Sequence, residues 1–152
     1  PTSLLFSRQK LAHMQRDKSQ LGNIKRGGYV LLDTDDDPEA IIIATGSEVE
    51  MAMNTAIKLN AKGKKIRVVS MPSTDLYDQQ DDAYKETVLP NTCRKRISVE
   101  AGVTEYWSKY TGLDGLSLGV DTFGESAPAN EVYKYFGLTE ENLINTVNEL
   151  IK

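Results

Sequence analysis

Cysteine and histidine are nearly absent from this 152-residue chain, which has one of each, Cys93 and His13. A single thiol excludes a disulfide framework and any cysteine-based zinc site, and it predicts a reducing, cytoplasmic compartment. A single histidine excludes multi-histidine metal sites, and a Ser-His-Asp triad or a Cys-His pair would have to use His13 itself. Hydrolase chemistry is therefore disfavoured. We expect Cys93 to be an ordinary loop thiol and His13 to be exposed.

Long apolar runs and an excess of positive charge are also missing. The longest unbroken apolar run covers residues 40–44, far short of the roughly 20 residues that span a bilayer. The formal net charge is −4, and we interpret the basic stretches at 62–67 and 94–96 as solvated loop ends. The sequence therefore predicts neither a membrane nor a nucleic-acid partner.

The composition is that of one globular domain. Hydrophobic residues make up 39% of the chain, enough for a core without disulfides or metals. The chain starts at Pro1 without an initiator methionine or a signal-peptide pattern, and we expect it to be a fragment or a processed product.

Short β-rich runs alternate with segments long enough for helices, which is typical of a largely parallel sheet. The 33–39 connection is too short for a parallel crossover, so we expect the first two runs to pair antiparallel, with the first nearer an edge. Three consecutive isoleucines at 41–43 predict a central strand that is covered on both faces. The fold class predicted is α/β: a three-layer αβα sandwich with a mixed, mostly parallel five-stranded sheet carrying one antiparallel strand. The predicted strands are 29–32, 40–45, 66–71, 97–100 and 116–120.

Helix boundaries can be placed at two positions. Ser47 and Glu50 have the spacing of a capping box, which predicts a helix that ends near Gly63. Thr139 precedes two glutamates and predicts the start of a closing C-terminal helix. Residues 9–28 are polar with weak periodicity, and we interpret them as a linker that lies across a surface.

An acidic stretch resembles part of a calcium loop. Asp33, Asp35 and Asp37 stand at the first, third and fifth positions of such a loop. The sixth position is Pro38 where a glycine is required, and the twelfth is Ala44, which cannot supply a bidentate carboxylate. We therefore expect an acidic, solvated loop.

Two polar features stand at predicted strand ends. Gly46 and Ser47 offer backbone N–H groups at a helix start, where an anion can bind, but simple capping of the helix is the preferred interpretation. Glu100 ends a strand, and ligands of open α/β sheets bind at that end. It could act as an acid or base, but a structural hydrogen-bonded carboxylate is the preferred interpretation.

Aromatic side chains recur at helical spacing late in the chain, at Tyr106, Trp107 and Tyr110. Such stripes usually pack in a core, and we expect burial here. An interface anchor is the alternative.

Arg8 follows an apolar run, residues 4–6, that reads as a strand. A planar guanidinium can grip a phosphate or a carboxylate with paired hydrogen bonds. The spacing alone leaves this role and a surface ion pair equally open.

Three peptides together point to a known family: residues 5–9 (LFSRQ), 69–75 (VSMPSTD) and 122–129 (TFGESAPA). The peptides at 44–50 (ATGSEVE) and 98–102 (SVEAG) agree with the same family. The chain resembles the C-terminal part of a transketolase, in order and over nearly its whole length.

The resemblance implies an enzyme of the pentose phosphate pathway that moves a two-carbon ketol unit from a ketose phosphate to an aldose phosphate. It implies thiamine diphosphate and Mg²⁺ as cofactors of a full-length homodimer. Both would be held by two preceding domains, which this chain lacks. The fragment is therefore expected to bind neither cofactor and to be inactive by itself.

The resemblance also implies a domain division and one substrate contact. Residues 1–9 would be the terminal strand of the preceding domain, 10–28 an interdomain linker, and 29–152 the transketolase C-terminal domain. Arg8 matches the arginine that contacts the phosphate of the sugar substrate, and Ser7 would assist it. The chain itself would serve assembly of the enzyme.

Two alternatives stay open at this point. One is an autonomous module that binds a small ligand, an anion or a nucleotide, at the helix start formed by Gly46 and Ser47. The other is the equivalent domain of a dihydroxyacetone synthase.

Overall fold

The computed structural model describes residues 3, 4, 6, 7 and 9–152. A five-stranded sheet lies at its centre, and each predicted run forms one strand, with ends that differ by at most two residues. The strands are β1 (Tyr29–Leu32), β2 (Ala40–Ala44), β3 (Ile66–Ser70), β4 (Arg96–Val99) and β5 (Leu116–Leu118).

The strand order is β1-β3-β2-β4-β5. β2 pairs in parallel with β3 on one side and with β4 on the other, and β4 pairs in parallel with β5. β1 is antiparallel to β3 at the edge. The mixed sheet with one antiparallel strand is therefore confirmed, and so is the central, fully buried β2.

The predicted pairing of β1 with β2 is wrong, because β3 lies between them. The 33–39 connection has to cross two strand spacings, about 10 Å, and an extended chain covers that distance in three to four residues at roughly 3.3 Å each. A short connection thus requires only that β1 and β2 run in opposite directions. The gap between them is filled by β3, which arrives later through a helical crossover.

No helix within the described residues has the length and apolar character needed to cross a bilayer.

Helices cover both faces of the sheet. The α-helices are α1 (Lys18–Asn23), α2 (Glu48–Asn60), α3 (Thr74–Asp78), α4 (Asp82–Val88), α5 (Ser108–Thr111), α6 (Ala129–Tyr135) and α7 (Glu140–Leu150), with 3₁₀ turns at Ile24–Arg26 and Thr104–Trp107.

Alternate residues of β2 enter two separate cores. Ile42 faces α2 and α7, where Ala52 and Leu143 are buried with it. Ile41 and Ile43 face the opposite core, which the 74–111 region builds from α3, α4 and α5. These two cores confirm the three-layer αβα sandwich.

The segment before β1 is fastened to the sheet edge. The Gln20 side-chain amide donates a hydrogen bond to the Leu31 carbonyl (2.8 Å), and the Arg16 Nε donates to the Tyr29 hydroxyl (2.6 Å). Residues 9–28, interpreted as a linker, thus include α1 and a 3₁₀ turn that lie along the edge strand.

The two predicted helix starts differ in outcome. The Thr139 hydroxyl accepts a hydrogen bond from the Asn142 N–H (3.2 Å), which confirms this cap. The predicted capping box of Ser47 and Glu50 is wrong, since Ser47 has helical backbone angles and makes no side-chain cap. Its hydroxyl donates to the Glu48 carboxylate instead (2.8 Å).

Candidate functional site

The peptide predicted to contact a substrate phosphate is only partly described. Arg8 lies outside the described residues. Ser7 is exposed, and its neighbours Leu4 and Phe6 are 74% and 85% exposed. The phosphate contact of Arg8 and Ser7 therefore stays a prediction.

The sheet brings the other family-like peptides to one end of the molecule. Residues 44–50 begin at the end of β2, 69–75 at the end of β3, and 98–102 at the end of β4. The fourth peptide, 122–129, comes shortly after β5. The carboxyl ends of parallel strands share one edge of a sheet, so peptides far apart in sequence meet there.

The peptide at 122–129 is solvent-exposed along its length. Phe123 in it is 96% exposed. Its start is anchored because the Thr104 N–H and hydroxyl both donate to the Asp121 carboxylate (2.8 and 2.7 Å). These hydrogen bonds lower the pKa of Asp121. The residue before Asp121 is also held in place, because the Val120 N–H donates a backbone hydrogen bond to the Gly102 carbonyl (2.8 Å).

A buried carboxylate lies at the start of α2. Glu48 is 4% exposed, and its carboxylate accepts hydrogen bonds from Ser47 (2.8 Å) and from the Tyr133 hydroxyl of α6. The Ala101 N–H also points at it (3.4 Å). Burial and the neighbouring carboxylate raise the pKa of Tyr133. We call these four residues the Glu48 network.

The Glu48 network bears on the alternative of an anion site at the start of α2. An anion at Gly46 and Ser47 would lie next to the buried carboxylate of Glu48, and Glu50 follows one turn into the same helix start. Like charges at this spacing repel. The geometry therefore favours a structural helix start over an anion site.

A cleft opens at the carboxyl ends of β2, β3 and β4, between the segments that follow β3 and β4. The chain runs from β2 to β3 on one side of β2 and later to β4 on the other side, so this is the point where the direction of winding changes. The cleft has a volume of about 520 Å³ and is lined by Thr45, residues 71–75, Glu100, Val103, Tyr106 and Trp107. We call it the switch-point cleft.

Glu100 is held in the wall of this cleft. The Trp107 indole N–H donates to its Oε2 (2.7 Å), as the preferred interpretation of a hydrogen-bonded carboxylate predicted. Trp107 and Tyr110 are buried at 3% and 6% exposure, but Tyr106 is 58% exposed. The prediction of burial is therefore wrong for Tyr106, which stands in a 3₁₀ turn rather than on a regular helical face.

The acidic stretch forms ion pairs with one residue of β3 and with the residue just before that strand. The Arg67 guanidinium donates to both carboxylate oxygens of Asp33 (2.8 and 3.1 Å), and Lys65 pairs with Asp36 (2.7 Å). The pKa of Asp36 is lowered by that lysine. This agrees with the expected solvated acidic loop.

Cys93 and Arg96 are more buried than their loop position suggested. Cys93 is 6% exposed, and burial raises the pKa of its thiol. The Arg96 guanidinium donates hydrogen bonds to four backbone carbonyls, those of Leu89, Pro90, Cys93 and Tyr110. The interpretation of 94–96 as a solvated loop end is therefore wrong for Arg96. His13 is exposed, as predicted.

Comparison with known proteins agrees with this arrangement. A family model described as the transketolase-like TK C-terminal domain matches residues 27–139. Transketolase 2 of Aliivibrio fischeri is 56% identical over 151 residues, which cover 99% of this chain and 23% of that protein. This chain belongs to the transketolase family.

Solved transketolases share the fold. A transketolase from Leishmania mexicana aligns with a TM-score of 0.79 and 39% identity, covering 87% of this chain and 19% of that one. A Pichia stipitis transketolase in complex with sedoheptulose-7-phosphate aligns with a TM-score of 0.79 and 35% identity, covering 90% of this chain and 20% of that one. The chain thus spans about a quarter of the curated transketolase that it matches.

The transketolase family implies a magnesium-bound diphosphate cofactor. A magnesium ion that holds a diphosphate requires convergent oxygen ligands from the protein. Among residues 3, 4, 6, 7 and 9–152, no group of three His, Cys, Asp or Glu side chains could hold a metal ion. These residues do not fit a magnesium–diphosphate site.

Sequence reasoning missed three features of this transketolase-family domain. The partner of Glu48 is Tyr133, far away in sequence, and no local pattern marks that pair. The four carbonyls around Arg96 are likewise defined only by the fold. The sequence indicates only part of the switch-point cleft, because it places Glu100 at a strand end but does not show which other residues line the cleft.

Proposed function

We propose that this chain is the C-terminal domain of a transketolase that transfers a two-carbon ketol unit from a ketose phosphate to an aldose phosphate. The observation that carries the proposal is the 56% identity to a curated transketolase over 99% of the chain. The first relatives are all named transketolase, which favours this enzyme over a dihydroxyacetone synthase. The pentose phosphate pathway and a cytoplasmic location belong to the same proposal.

The role proposed for the domain is assembly. The family-like peptides meet at one end of the sheet, and the exposed Phe123 stands among them. Apolar side chains exposed in this way are typical of surfaces that another part of an assembly covers. In this proposal, the terminal strand of a preceding domain covers residues 1–9. A linker, residues 10–28, then leads into this domain. The partner proposed is the remainder of a transketolase homodimer.

One substrate contact is proposed for the N-terminal peptide. Arg8, assisted by Ser7, would hold the phosphate of a sugar phosphate through charge-assisted hydrogen bonds. A solved relative is described in complex with sedoheptulose-7-phosphate, which supports sugar phosphates as the substrate class. Binding a remote phosphate would help to position the reacting carbonyl.

The cofactor belongs to the rest of the enzyme in this proposal. Thiamine diphosphate, with Mg²⁺, supplies the carbanion-stabilising chemistry when bound. This chain contributes substrate binding and packing, and we expect it to be catalytically inert alone. The alternative of an autonomous anion module has less support, because Glu48 is buried at the helix start that would bind the anion.

The experiment that tests the substrate contact is Arg8→Ala in a transketolase that carries this chain as its C-terminal part. A lost charge-assisted hydrogen bond costs about 1.5–3 kcal/mol, which raises KM for phosphorylated substrates roughly ten- to hundredfold. KM for unphosphorylated sugars should change little. Arg94→Ala, which removes an exposed arginine, is the matched control. An equal loss with both kinds of substrate would refute the assignment.

A further inference from the structure

The switch-point cleft lies where open α/β sheets place their ligands. β2 leads to β3 on one side, and β4 lies on the other side of β2. β2 and β4 are paired up to their last residues, Ala44 and Val99. The segments that follow these two strands leave towards opposite faces of the sheet, and a crevice opens where they diverge. The volume of about 520 Å³ falls within the range of small-molecule sites.

The charges around this cleft are of one sign. Glu100 and Asp75 both line it, and among the described lining residues there is no lysine, arginine or histidine. An anion would meet two carboxylates and no compensating charge, whereas a cation would meet both favourably. The charge therefore excludes phosphate esters as the preferred ligand.

The Glu100 carboxylate has a defined orientation. Its Oε2 accepts the indole N–H of Trp107 at 2.7 Å, and Trp107 is itself held against Tyr106 in an edge-to-face arrangement with ring centroids 5.8 Å apart. A carboxylate fixed in this way needs no ordering when a ligand arrives, which lowers the entropic cost of binding.

An aromatic surface stands beside the carboxylate. Tyr106 is 58% exposed, and its hydroxyl is hydrogen-bonded to Thr74 across the cleft (2.5 Å). A half-exposed tyrosine ring next to a carboxylate attracts organic cations through its negative face. An aromatic ring stabilises a hydrated metal ion less than it stabilises an organic cation, since metal ions of this kind prefer oxygen ligands.

We propose that the switch-point cleft binds an organic cation, a guanidinium or alkylammonium group, with Glu100 as its charge partner and Tyr106 as its aromatic wall. The cation could be the side chain of an arginine or lysine in a protein segment, or a free small molecule. Both sources present the same charged group to Glu100. This site does not depend on the phosphate contact proposed for Arg8.

Trp107 provides a direct readout, because it is the only tryptophan of the chain and its indole N–H is bonded to Glu100. The 152-residue chain is titrated with methylguanidinium chloride and with n-butylammonium chloride at low ionic strength, and tryptophan emission is recorded. We expect a saturable change that weakens as NaCl is added, since salt screens the charge. Ribose 5-phosphate serves as the anionic comparison and should give no saturable change.

The deciding variant is Glu100→Gln, which keeps an oxygen to accept the indole N–H and removes the charge. Its affinity for methylguanidinium should fall about tenfold or more. Glu149→Gln changes the net charge equally but lies on α7, outside the cleft lining, and it should bind like the unchanged chain. Far-UV circular dichroism of both variants verifies that they are folded.

A short peptide, acetyl-Gly-Arg-Gly-amide, distinguishes the two sources. Binding at least tenfold tighter than that of methylguanidinium would assign the cleft to an arginine of a protein segment, and equal binding would assign it to a free cation. The proposal is overturned if no cation gives a saturable change, if Glu100→Gln and Glu149→Gln bind equally, or if ribose 5-phosphate binds as well as the cations.

Discussion

Two arginines separated by one residue have different surroundings. Arg94 pairs with Asp114 at the surface (2.7 Å), with both side chains more than half exposed. Arg96 donates its hydrogen bonds to the carbonyls of Leu89, Pro90, Cys93 and Tyr110. Arg96 thereby joins the loop before β4 to the end of α5, a role that its charge alone does not suggest.

Arg96→Ala should destabilise the chain by about 3 kcal/mol, because several charge-assisted hydrogen bonds disappear and their carbonyls lose their partner. Arg94→Ala should cost less than about 1 kcal/mol, as is usual for exposed ion pairs. Urea unfolding followed by circular dichroism measures both. Similar losses for the two variants would contradict the structural role of Arg96.

The Glu48 network supports a second prediction at the residue scale. Tyr133→Phe removes one donor from a carboxylate that is 4% exposed, and a buried acceptor without its partner costs about 1–3 kcal/mol. Tyr135→Phe on the same helix is the control, because Tyr135 is 73% exposed and should change stability by no more than about 0.5 kcal/mol. The difference in melting temperature between the two variants measures how much the Tyr133 hydrogen bond contributes to stability. Equal melting temperatures would count against it.

At the scale of elements, α5 is fixed by an aromatic cluster with a charged partner. The Tyr110 ring packs against Trp107 and Tyr77, with centroids 5.8 and 6.2 Å away. Its hydroxyl donates to the Asp78 carboxylate (3.1 Å). Burial and the nearby Asp78 raise the pKa of Tyr110 to about 12. The hydrogen bond to Asp78 therefore stabilises α5 only while the Tyr110 hydroxyl keeps its proton.

The raised pKa predicts a loss of stability at alkaline pH. Well below pH 10 Tyr110 is neutral in both the folded and the unfolded chain, and it contributes no pH dependence there. Above about pH 10 the unfolded chain releases the proton and the folded chain retains it up to about pH 12, so the free energy of unfolding falls as pH rises through this window. Urea unfolding between pH 9 and pH 11.5 measures the slope. Tyr110→Phe should give a shallower slope, and an unchanged slope would contradict the assignment.

At the scale of the whole chain, the 152 residues span only part of the length of the transketolases that they match. Its matched relative is covered over 23% of its length, and the residues described here do not fit a magnesium–diphosphate site. The proposed function therefore requires the remainder of a transketolase to supply the reacting centre.

The chain alone should show no transketolase activity and no measurable affinity for sugar phosphates. A coupled assay of ketol transfer with thiamine diphosphate and Mg²⁺ measures the first, and calorimetric titration with ribose 5-phosphate measures the second. An intact transketolase assayed in parallel is the control. Turnover by the 152-residue chain would show that its own residues complete an active site.

The elements themselves could be predicted from local sequence. Consecutive isoleucines at 41–43 predicted a buried central strand, and Thr139 predicted a helix start, because burial and capping depend on residues that are adjacent in the chain. The resemblance peptides identified the family. A helix cap is harder to predict where another acceptor binds the capping side chain. The Ser47 hydroxyl donates to the buried Glu48 carboxylate and does not cap the helix.

Contacts between distant residues were decided only by the tertiary structure. β3 separates β1 from β2, Tyr133 reaches Glu48 from another helix, and four carbonyls surround Arg96. Each depends on how elements are ordered in space, and that order follows from packing two apolar faces of one sheet at the same time. The amino-acid sequence by itself determined the strands, the helix start at Thr139 and the family. The tertiary structure alone decided which strand ends meet and form the cleft, because chain order does not specify neighbours across a sheet.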